Sequence, residues 1–359
     1  MSAVLTRYLA REIVVSTAMV TLAFIGLFAF FDFINELDSI GRAGYELQHA
    51  LVYVLLILPG RIYELIPITV LIGTLYALTT LARHSEITVM RASGMSTLKM
   101  LRTLGGTGLI FVVLTFVFGE YVAPPAERAA QQWKLTATGS AVSQQLRSGL
   151  WVRDGNRFIN VRRVLPDRSM EAVRIYDFDE ERMLSSLSEA ARGVYDGEAR
   201  EWRLIEVVRT RFTDERTLLE TLPEMRWRSD LTPEVLSVLM VAPERMSVAT
   251  LYAYINHLRD NRQNADRFEI ALWKKIVYPF ASLVMIALAL PFAFTHDRMG
   301  GVSVKVFVGV MIGIGFYLLN GLFSNLGVIN AWHPALAALT PSALFLATAA
   351  VMLLGVERR

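Results

Sequence analysis

Six stretches of the chain are apolar over about the 20 residues that an α-helix needs to cross a bilayer. They cover residues 13–31, 61–82, 101–121, 276–294, 304–326 and 334–356. The first stretch is too long for the apolar core of a signal peptide and lacks a small-residue cleavage site, so we interpret it as an uncleaved anchor. The pattern predicts an α-helical polytopic membrane protein with six transmembrane helices.

Between the third and fourth stretches, apolar and polar residues alternate, which is typical of β-strands. The clearest candidate strands are residues 158–161, 173–176 and 202–207, and hairpin-type turns are expected at residues 154–156 and 196–197. Several strands with short turns and no helix between them indicate an all-β sandwich or jelly roll. We therefore expect a jelly-roll-like domain inserted between membrane helices three and four.

Helices are expected on both sides of this β domain. Pro124-Pro125 should end the third membrane helix, and a polar helix should follow from Ala126 to about Ser140. Ser247 is a candidate N-cap of a helix that places Leu251, Ile255 and Leu258 on one face and leads into the fourth span. The predicted domains are residues 1–123, 124–270 and 271–359.

Charge is distributed very unevenly along the 359 residues. Residues 122–270 hold 22 Lys/Arg and 23 Asp/Glu, whereas the other 210 residues hold only 14 and 10. A single soluble domain and a disordered chain are both excluded by this contrast. The chain has no cysteine, which excludes disulfides, thiolate catalysis and cysteine-ligated metals.

The short connections predict the orientation, because cytoplasmic loops are richer in Lys and Arg. Basic residues precede the first span and lie between spans two and three, between spans four and five, and at the end of the chain. Loops 32–50 and 327–333 are poor in them. We expect both termini in the cytoplasm and the β domain on the outer side of the membrane, which is the periplasm in a Gram-negative cell.

The sequence offers no sign of catalysis by this chain itself. It contains no phosphate-binding loop of the Walker type, no nucleophile-elbow motif and no paired metal-ligating histidines. No run of Lys or Arg indicates a nucleic-acid partner. We expect a non-enzymatic subunit without a cofactor or metal.

The loop between spans two and three is the most informative short segment. Ser85 and Gly94 are placed to begin and end a short helix, and Ser96 to cap the next one. Such a helix can lie in the membrane interface, or it can act as a coupling helix that docks in a groove on a cytoplasmic ATPase. In the second interpretation Ile87 and Met90 share a face that contacts the ATPase, and the coupling residues are Glu86, Ile87, Met90 and Arg91.

Charged residues also gather where the helices should leave the outer side of the membrane. Asp32, Arg61, Glu64 and Glu120 fall near that boundary. The cations are either anchors neutralised by nearby glutamates or a clamp for an anionic lipid headgroup. The candidate headgroup residues are Arg61, Arg128, Lys134, Lys274 and Lys275.

Two further features concern the helices near this boundary. Glu64 shares a helix face with Arg61, which weakens Arg61 as a free ligand, and Pro59 and Pro67 are expected to break that helix locally. In the fifth span, small and polar residues indicate a close helix–helix seam, either a moving gate or simple packing within the chain. The candidate gate and helix-interface residues are Asp32, Gly309, Gly313 and Asn320.

Several segments resemble one known family. Residues 83–94, Arg-His-Ser-Glu-Ile-Thr-Val-Met-Arg-Ala-Ser-Gly, are similar to the coupling-helix motif of the LptF/LptG family of lipopolysaccharide export permeases. Residues 149–158, Gly-Leu-Trp-Val-Arg-Asp-Gly-Asn-Arg-Phe, resemble the LptG branch in particular, and residues 119–125 and 231–235 also fit. The resemblance extends over essentially the whole chain.

This resemblance implies a fold, partners and a function. It implies six spans with a periplasmic β-jelly roll, an LptF-like permease partner, two LptB-like ATPases, and LptC-like and LptA-like bridge proteins. Lipopolysaccharide would leave the outer leaflet of the inner membrane through gates built by spans one and five and pass to the bridge. It also implies coupling roles for Glu86, Ile87 and Met90 and a headgroup role for Arg61. Asp32 departs from the family, which can carry a basic residue near that position.

Other functions remain as alternatives. One is the sister permease LptF or an ABC permease for another envelope lipid, and the motif at residues 149–158 favours LptG over LptF. Another is a membrane-anchored scaffold for envelope assembly, which has no need of a cytoplasmic helix that contacts an ATPase.

Overall fold

The computed structural model describes residues 3–41, 44–138, 149–165, 169–179, 181–213, 216–229, 231–233, 236, 242–261, 263–294 and 302–357. The helices of the first part are α1 (Ala3–Leu37), α2 (Leu47–Arg83), α3 (Glu86–Ala92), α4 (Thr97–Val117) and α5 (Ala123–Thr138). Those of the last part are α6 (Val248–Asp260), α7 (Asp266–Val277), α8 (Ala281–Phe294), α9 (Val302–Ile329) and α10 (Pro334–Glu357).

Within these ranges six helical segments are long and apolar enough to cross a membrane, as expected. They are Val4–Leu37, Leu47–Arg83, Thr97–Lys134, Asp266–Phe292, Val302–Ile329 and Pro334–Gly355. Helix α2 lies at the centre, packed against α1, α5, α8 and α9. The chain is a multi-pass membrane protein. Its helical bundle has a "sheet end", which includes α5 and the α6–α7 loop that is bonded to the β domain, and a "distal end", which carries α3.

Pro124-Pro125 do not end the third membrane helix, contrary to the expectation. A π-helical turn (Phe118–Val122) joins α4 to α5, and the N–H of Ala123 bonds five residues back to the carbonyl of Phe118. The prolines therefore stand in the first turn of a new helical register, where a missing N–H costs little. The polar helix predicted after them is present as α5, continuous with the span.

The break expected at Pro59 and Pro67 is also wrong. Both prolines lie inside α2, which is continuous from Leu47 to Arg83. Helix α2 has neighbouring helices along its length, and most of its residues between Leu65 and Leu81 are buried. Membrane helices tolerate internal proline when neighbouring helices hold the segment in place.

The described residues of the middle part form one six-stranded antiparallel sheet in sequential order, β1-β2-β3-β4-β5-β6. The strands are β1 (Leu150–Asp154), β2 (Arg157–Val164), β3 (Met170–Phe178), β4 (Leu184–Asp196), β5 (Glu201–Phe212) and β6 (Thr217–Trp227). The predicted strands correspond to β2, β3 and β5, and both predicted turns are present; β1, β4 and β6 were missed. The sheet lies between α5 and α6 in the chain, which confirms an inserted β domain.

One face of the sheet carries an apolar core. It includes Ile159, Val161, Val173, Ile175, Trp202, Leu204 and Val207. The indole N–H of Trp202 donates to the carbonyl of Leu231 at 2.6 Å, and the hydroxyl of Ser229 donates to Asp154 at 2.6 Å. The segment after β6 therefore crosses over this face and closes it toward β1.

Turns at the two ends of the sheet are held by side chains. The carboxylate of Asp196 accepts from the backbone N–H groups of Ala199 and Glu198 at 3.2 and 3.1 Å, and these bonds lower its pKa. At the other end, the N–H of Gly155 donates to Asn261, and Gln263 donates to the carbonyl of Arg153. The β1–β2 turn is thereby attached to the α6–α7 loop.

Helix α6 forms as predicted. Ser247 is its N-cap and accepts from the N–H of Thr250 at 3.1 Å, and Leu251, Ile255 and Leu258 are buried. Helix α6 ends at Asp260, however, and the fourth span begins in a separate helix, α7. Burial raises the pKa of the Tyr254 phenol in α6 to about 12.

Candidate functional site

A three-residue ion cluster connects α1 and α2 at the sheet end. The guanidinium of Arg61 donates through Nη2 and Nε to the two oxygens of Asp32, at 2.6 and 2.8 Å. Its Nη1 donates to Glu64 at 3.1 Å. Such bidentate, charge-assisted bonds are strong. Arg61 is thus already occupied by two carboxylates, and Asp32 is its main partner.

Two other predicted headgroup residues are also engaged by the chain. Lys134 on α5 pairs with Glu36 at 2.8 Å and lies over the ring of Tyr53. Arg128 donates to the hydroxyl of Thr250 at 2.7 Å. These contacts join α5 to α1, α2 and α6. Both cations therefore lie in contacts between helices at the sheet end.

Lys274 and Lys275 lie elsewhere, at one cavity. This cavity has a volume of about 480 Å³ and lies between α2, α7 and α9. Lys275 is buried with its Nζ 4.8 Å from the centroid of the Tyr63 ring. In the part of the chain that the structure describes, neither lysine forms an ion pair with a carboxylate within 4.0 Å.

The walls of this cavity combine polar and apolar groups. Glu64 and Glu244 face the lysines, and Asn320 and Asn325 add amides. The apolar part comes from α2, α7 and α9: Ile68, Ala271, Phe316, Leu318 and Leu322. The cavity thus combines two lysines and two glutamates with an apolar wall, which suits an amphipathic molecule.

The small residues of the fifth span pack against α2. A methyl group built on Gly309 would lie 2.5 Å from a side-chain carbon of Leu75, and one on Gly313 would lie 2.7 Å from Ile68. The amide of Asn320 donates to the carbonyl of Phe316, four residues earlier on α9. Within this chain these residues form a close α2–α9 seam, and a gating role remains a prediction.

Glu120 connects the third span to α6, a contact that the sequence did not reveal. Its carboxylate accepts from the backbone N–H of Val248 at 2.8 Å, the first residue of α6. An acidic group at a helix N-terminus is favourable. Near this contact, Arg245 donates to Glu127 at 2.7 Å. Burial acts to lower the pKa of Arg245, but the Glu127 carboxylate outweighs this effect, so the pKa of Arg245 is raised. The segment that returns from the sheet is thus bound to the third span.

The short helix predicted at the distal end is present as α3. Gly94 has a positive φ of +90°, and the N–H groups of Gly94 and Met95 bond back to Arg91 and Met90, which is a Schellman ending. Ser96 caps α4, as predicted. Ser85 occupies the N-cap position of α3 but makes no side-chain cap bond, since its backbone is left-handed.

Ile87 and Met90, which were expected to contact the ATPase, are buried within this chain. They are 3% and 6% exposed and pack in the helical core with Met95 and Met100. The solvent-facing side of α3 instead carries Val89, which is 66% exposed, and its neighbours Thr88, Arg91 and Ala92. Helix α3 is amphipathic, as predicted, but its apolar face holds it to its own chain.

Glu86 and Arg91 connect α3 to other helices. The hydroxyl of Tyr8 on α1 donates to Glu86 at 3.0 Å. The guanidinium of Arg91 lies 5.1 Å from the ring centroid of Phe294 at the end of α8. Tyr8 was missed because a contact 78 residues apart leaves no periodic signal in the sequence.

Comparison with known proteins gives the family. A model of the lipopolysaccharide export system permease LptF/LptG family matches residues 7–355. The chain belongs to this family. It is 33% identical to the lipopolysaccharide export system permease protein LptG of Escherichia coli strain K12, over 95% of each chain. It is 30% identical to the LptG protein of Haemophilus influenzae, over 95% of this chain and 96% of the relative.

The family assignment agrees with the structure. A permease of the LptF/LptG family is expected to have membrane helices on both sides of a β domain, and the six spans and the inserted sheet have that order. The predicted LptG branch is supported because the two relatives carry that name.

Proposed function

We propose that the chain is the LptG-type permease subunit of an ABC transporter that removes lipopolysaccharide from the outer leaflet of the inner membrane. The observation that carries this proposal is the family match over residues 7–355. The amphipathic cavity at the sheet end supports it, since that is where an outer-leaflet lipid would place its headgroup.

The orientation and the partners are part of the proposal. Both termini lie in the cytoplasm, where an LptB-like ATPase dimer binds, and the sheet lies in the periplasm. An LptF-like permease completes the membrane part, and LptC-like and LptA-like proteins accept the lipid. Each acyl methylene exposed to water costs about 0.8 kcal/mol, so a lipid with several chains needs a continuous apolar route.

We assign the main headgroup contact to Lys274 and Lys275 rather than to Arg61. The two lysines face the cavity without an ion-pair partner among the described residues, whereas Arg61 is held by Asp32 and Glu64. Arg61 becomes a ligand only if a phosphate displaces Asp32. Arg128 and Lys134 instead hold helices together at the sheet end.

Motion of the ATPase reaches the membrane part through α3. Val89 and Arg91 on its exposed side contact the ATPase, while Ile87 and Met90 anchor the helix. Glu86 passes the motion to α1 through Tyr8, and α1 carries Asp32 near its other end. The distal end of α1 thus contacts α3, and its sheet end is paired with Arg61 on α2.

The headgroup assignment is tested by photocrosslinking from residue 318 in the cavity wall, in the purified complex with its partner permease and ATPase. We expect Lys274→Gln to lower the yield of crosslinked lipopolysaccharide several-fold. The control is Lys99→Gln, an exposed lysine at the distal end. Equal yields from Lys274→Gln and the control would overturn the assignment of the cavity.

The coupling assignment is tested by ATPase binding. Val89→Asp places a charge in the centre of the exposed α3 surface and should reduce co-purification of the ATPase at least tenfold. Val4→Asp is the matched control, because Val4 is 77% exposed and lies at the distal end outside α3. Normal ATPase recovery with Val89→Asp would contradict the proposed contact.

A further inference from the structure

Two adjoining cavities lie in the β domain and share no lining residue with the cavity between α2, α7 and α9. Their volumes are about 430 and 790 Å³. Both are lined by Arg157, Asp177, Arg209 and Arg228, and the larger one reaches the β1–β2 turn. Since that turn is bonded to the α6–α7 loop, the larger cavity extends to the part of the sheet that is attached to the helices.

Three polar atoms at the smaller cavity are buried without a partner in the described part of the chain. They are the hydroxyl Oγ of Ser188, Nε of Arg209 and Nε1 of Trp227. Ser188 is only 2% exposed and Trp227 only 4%. Ser188 and Arg209 are directly opposite each other on β4 and β5. A buried donor left unsatisfied is costly, so three at one cavity indicate a partner other than the described residues.

The surrounding charge shows what kind of partner fits. The two cavities are lined by five arginines and three carboxylates: Arg157, Arg200, Arg209, Arg226 and Arg228, with Asp154, Asp177 and Glu201. Asp177 already accepts from Arg157 and Ser186, and Asp154 accepts from Ser229. Glu201 lies 3.4–3.5 Å from two arginines, longer than a strong charge-assisted bond. The cavity lining therefore has an excess of positive charge.

We propose that the two adjoining cavities of the β domain form one binding site for a phosphate group. The indole and guanidinium nitrogens can only donate, so the partner must be an acceptor, which excludes a cation. Water would accept these bonds but would leave the positive charge uncompensated, whereas a phosphate supplies several acceptor oxygens and negative charge. The phosphate can come from a phosphorylated saccharide or from the free ion. The site is independent of the lipid cavity of the membrane part.

The test is calorimetric titration of the full-length chain, purified in detergent in a phosphate-free buffer. The probes are inorganic phosphate and glucose 6-phosphate. We expect saturable binding, weakened at least tenfold by Arg209→Gln, which removes a charged donor, and about fivefold by Trp227→Phe, which removes one N–H and keeps the buried ring. The control is Arg174→Gln, because Arg174 is paired with Glu189 on the opposite face of the sheet. This variant should bind both probes with an affinity within twofold of wild type.

Each outcome decides the proposal. No saturable binding of either probe by the folded wild type, or unchanged binding by both cavity variants, overturns it. Tighter binding of glucose 6-phosphate supports the site with a saccharide phosphate as its ligand, and equal binding supports it with the free ion. If Arg209→Gln does not fold, by near-ultraviolet circular dichroism, Trp227→Phe alone decides. Because no lipid or ATPase is present, failure here is separate from failure of the permease assignment.

Discussion

The Asp32–Arg61 pair makes opposite predictions for stability and for lipid binding. In Asp32→Asn, Arg61 loses a bidentate carboxylate whose side chain is 11% exposed, while its own side chain is 24% exposed. Removing one partner of a fully buried pair costs about 3–5 kcal/mol. Glu64 remains as a counterion at 3.1 Å, so we expect a smaller loss, about 1.5–3 kcal/mol.

The assay is denaturation of the purified chain in detergent, followed by far-ultraviolet circular dichroism. The matched control is Glu189→Gln, which breaks the Arg174–Glu189 pair on the sheet surface, where both side chains are about half exposed. An exposed pair contributes only about 0.2–1 kcal/mol. The difference between the two variants therefore measures what partial burial adds to the Asp32–Arg61 pair.

Lipid binding by the same variant should change in the other direction. Asp32→Asn leaves two guanidinium N–H groups without their carboxylate, so a headgroup phosphate no longer has to displace it. We expect crosslinking of lipopolysaccharide near Arg61 to rise several-fold in Asp32→Asn and to fall in Arg61→Gln. If both variants reduce crosslinking equally, Asp32 and Arg61 act as one structural unit, and the competition argument is refuted.

Three further outcomes follow from single contacts. Gly73→Ala should destabilise the chain by about 1–3 kcal/mol in detergent unfolding, because the new methyl would lie 2.5 Å from the backbone of Thr17 on α1; Gly105→Ala, with no atom within 4 Å, should be neutral or stabilising. Glu120→Ala removes the acceptor at the start of α6, so amide hydrogen exchange in its first turn should accelerate. The backbone N–H groups that lower the pKa of Asp196 stabilise its turn at any pH above the ordinary pKa of the carboxyl, and this stabilisation is lost as the pH falls through the lowered pKa. The free energies of unfolding of Asp196→Ala and wild type should therefore differ near neutral pH and converge in acid.

Local patterns were sufficient for the spans, for the presence of an inserted β domain with three of its six strands, and for the short helix between spans two and three. Hydrophobic length and period are properties of consecutive residues, so they are present in the sequence before any contact forms. The same holds for Gly94, since a helix ending requires a left-handed residue at that position. The prolines of α2 and the third span were misjudged because neighbouring helices and a π-helical turn accommodate them.

The sites were less predictable, because their residues meet only after the helices pack. Asp32 and Arg61 are 29 residues apart, and Tyr8 and Glu86 are 78 apart. Periodicity shows that Ile87 and Met90 share a face, but not whether that face meets a partner or the chain's own core. That choice depends on the rotation and depth of each helix in the bundle, which are set by long-range packing and leave no repeating pattern in the sequence.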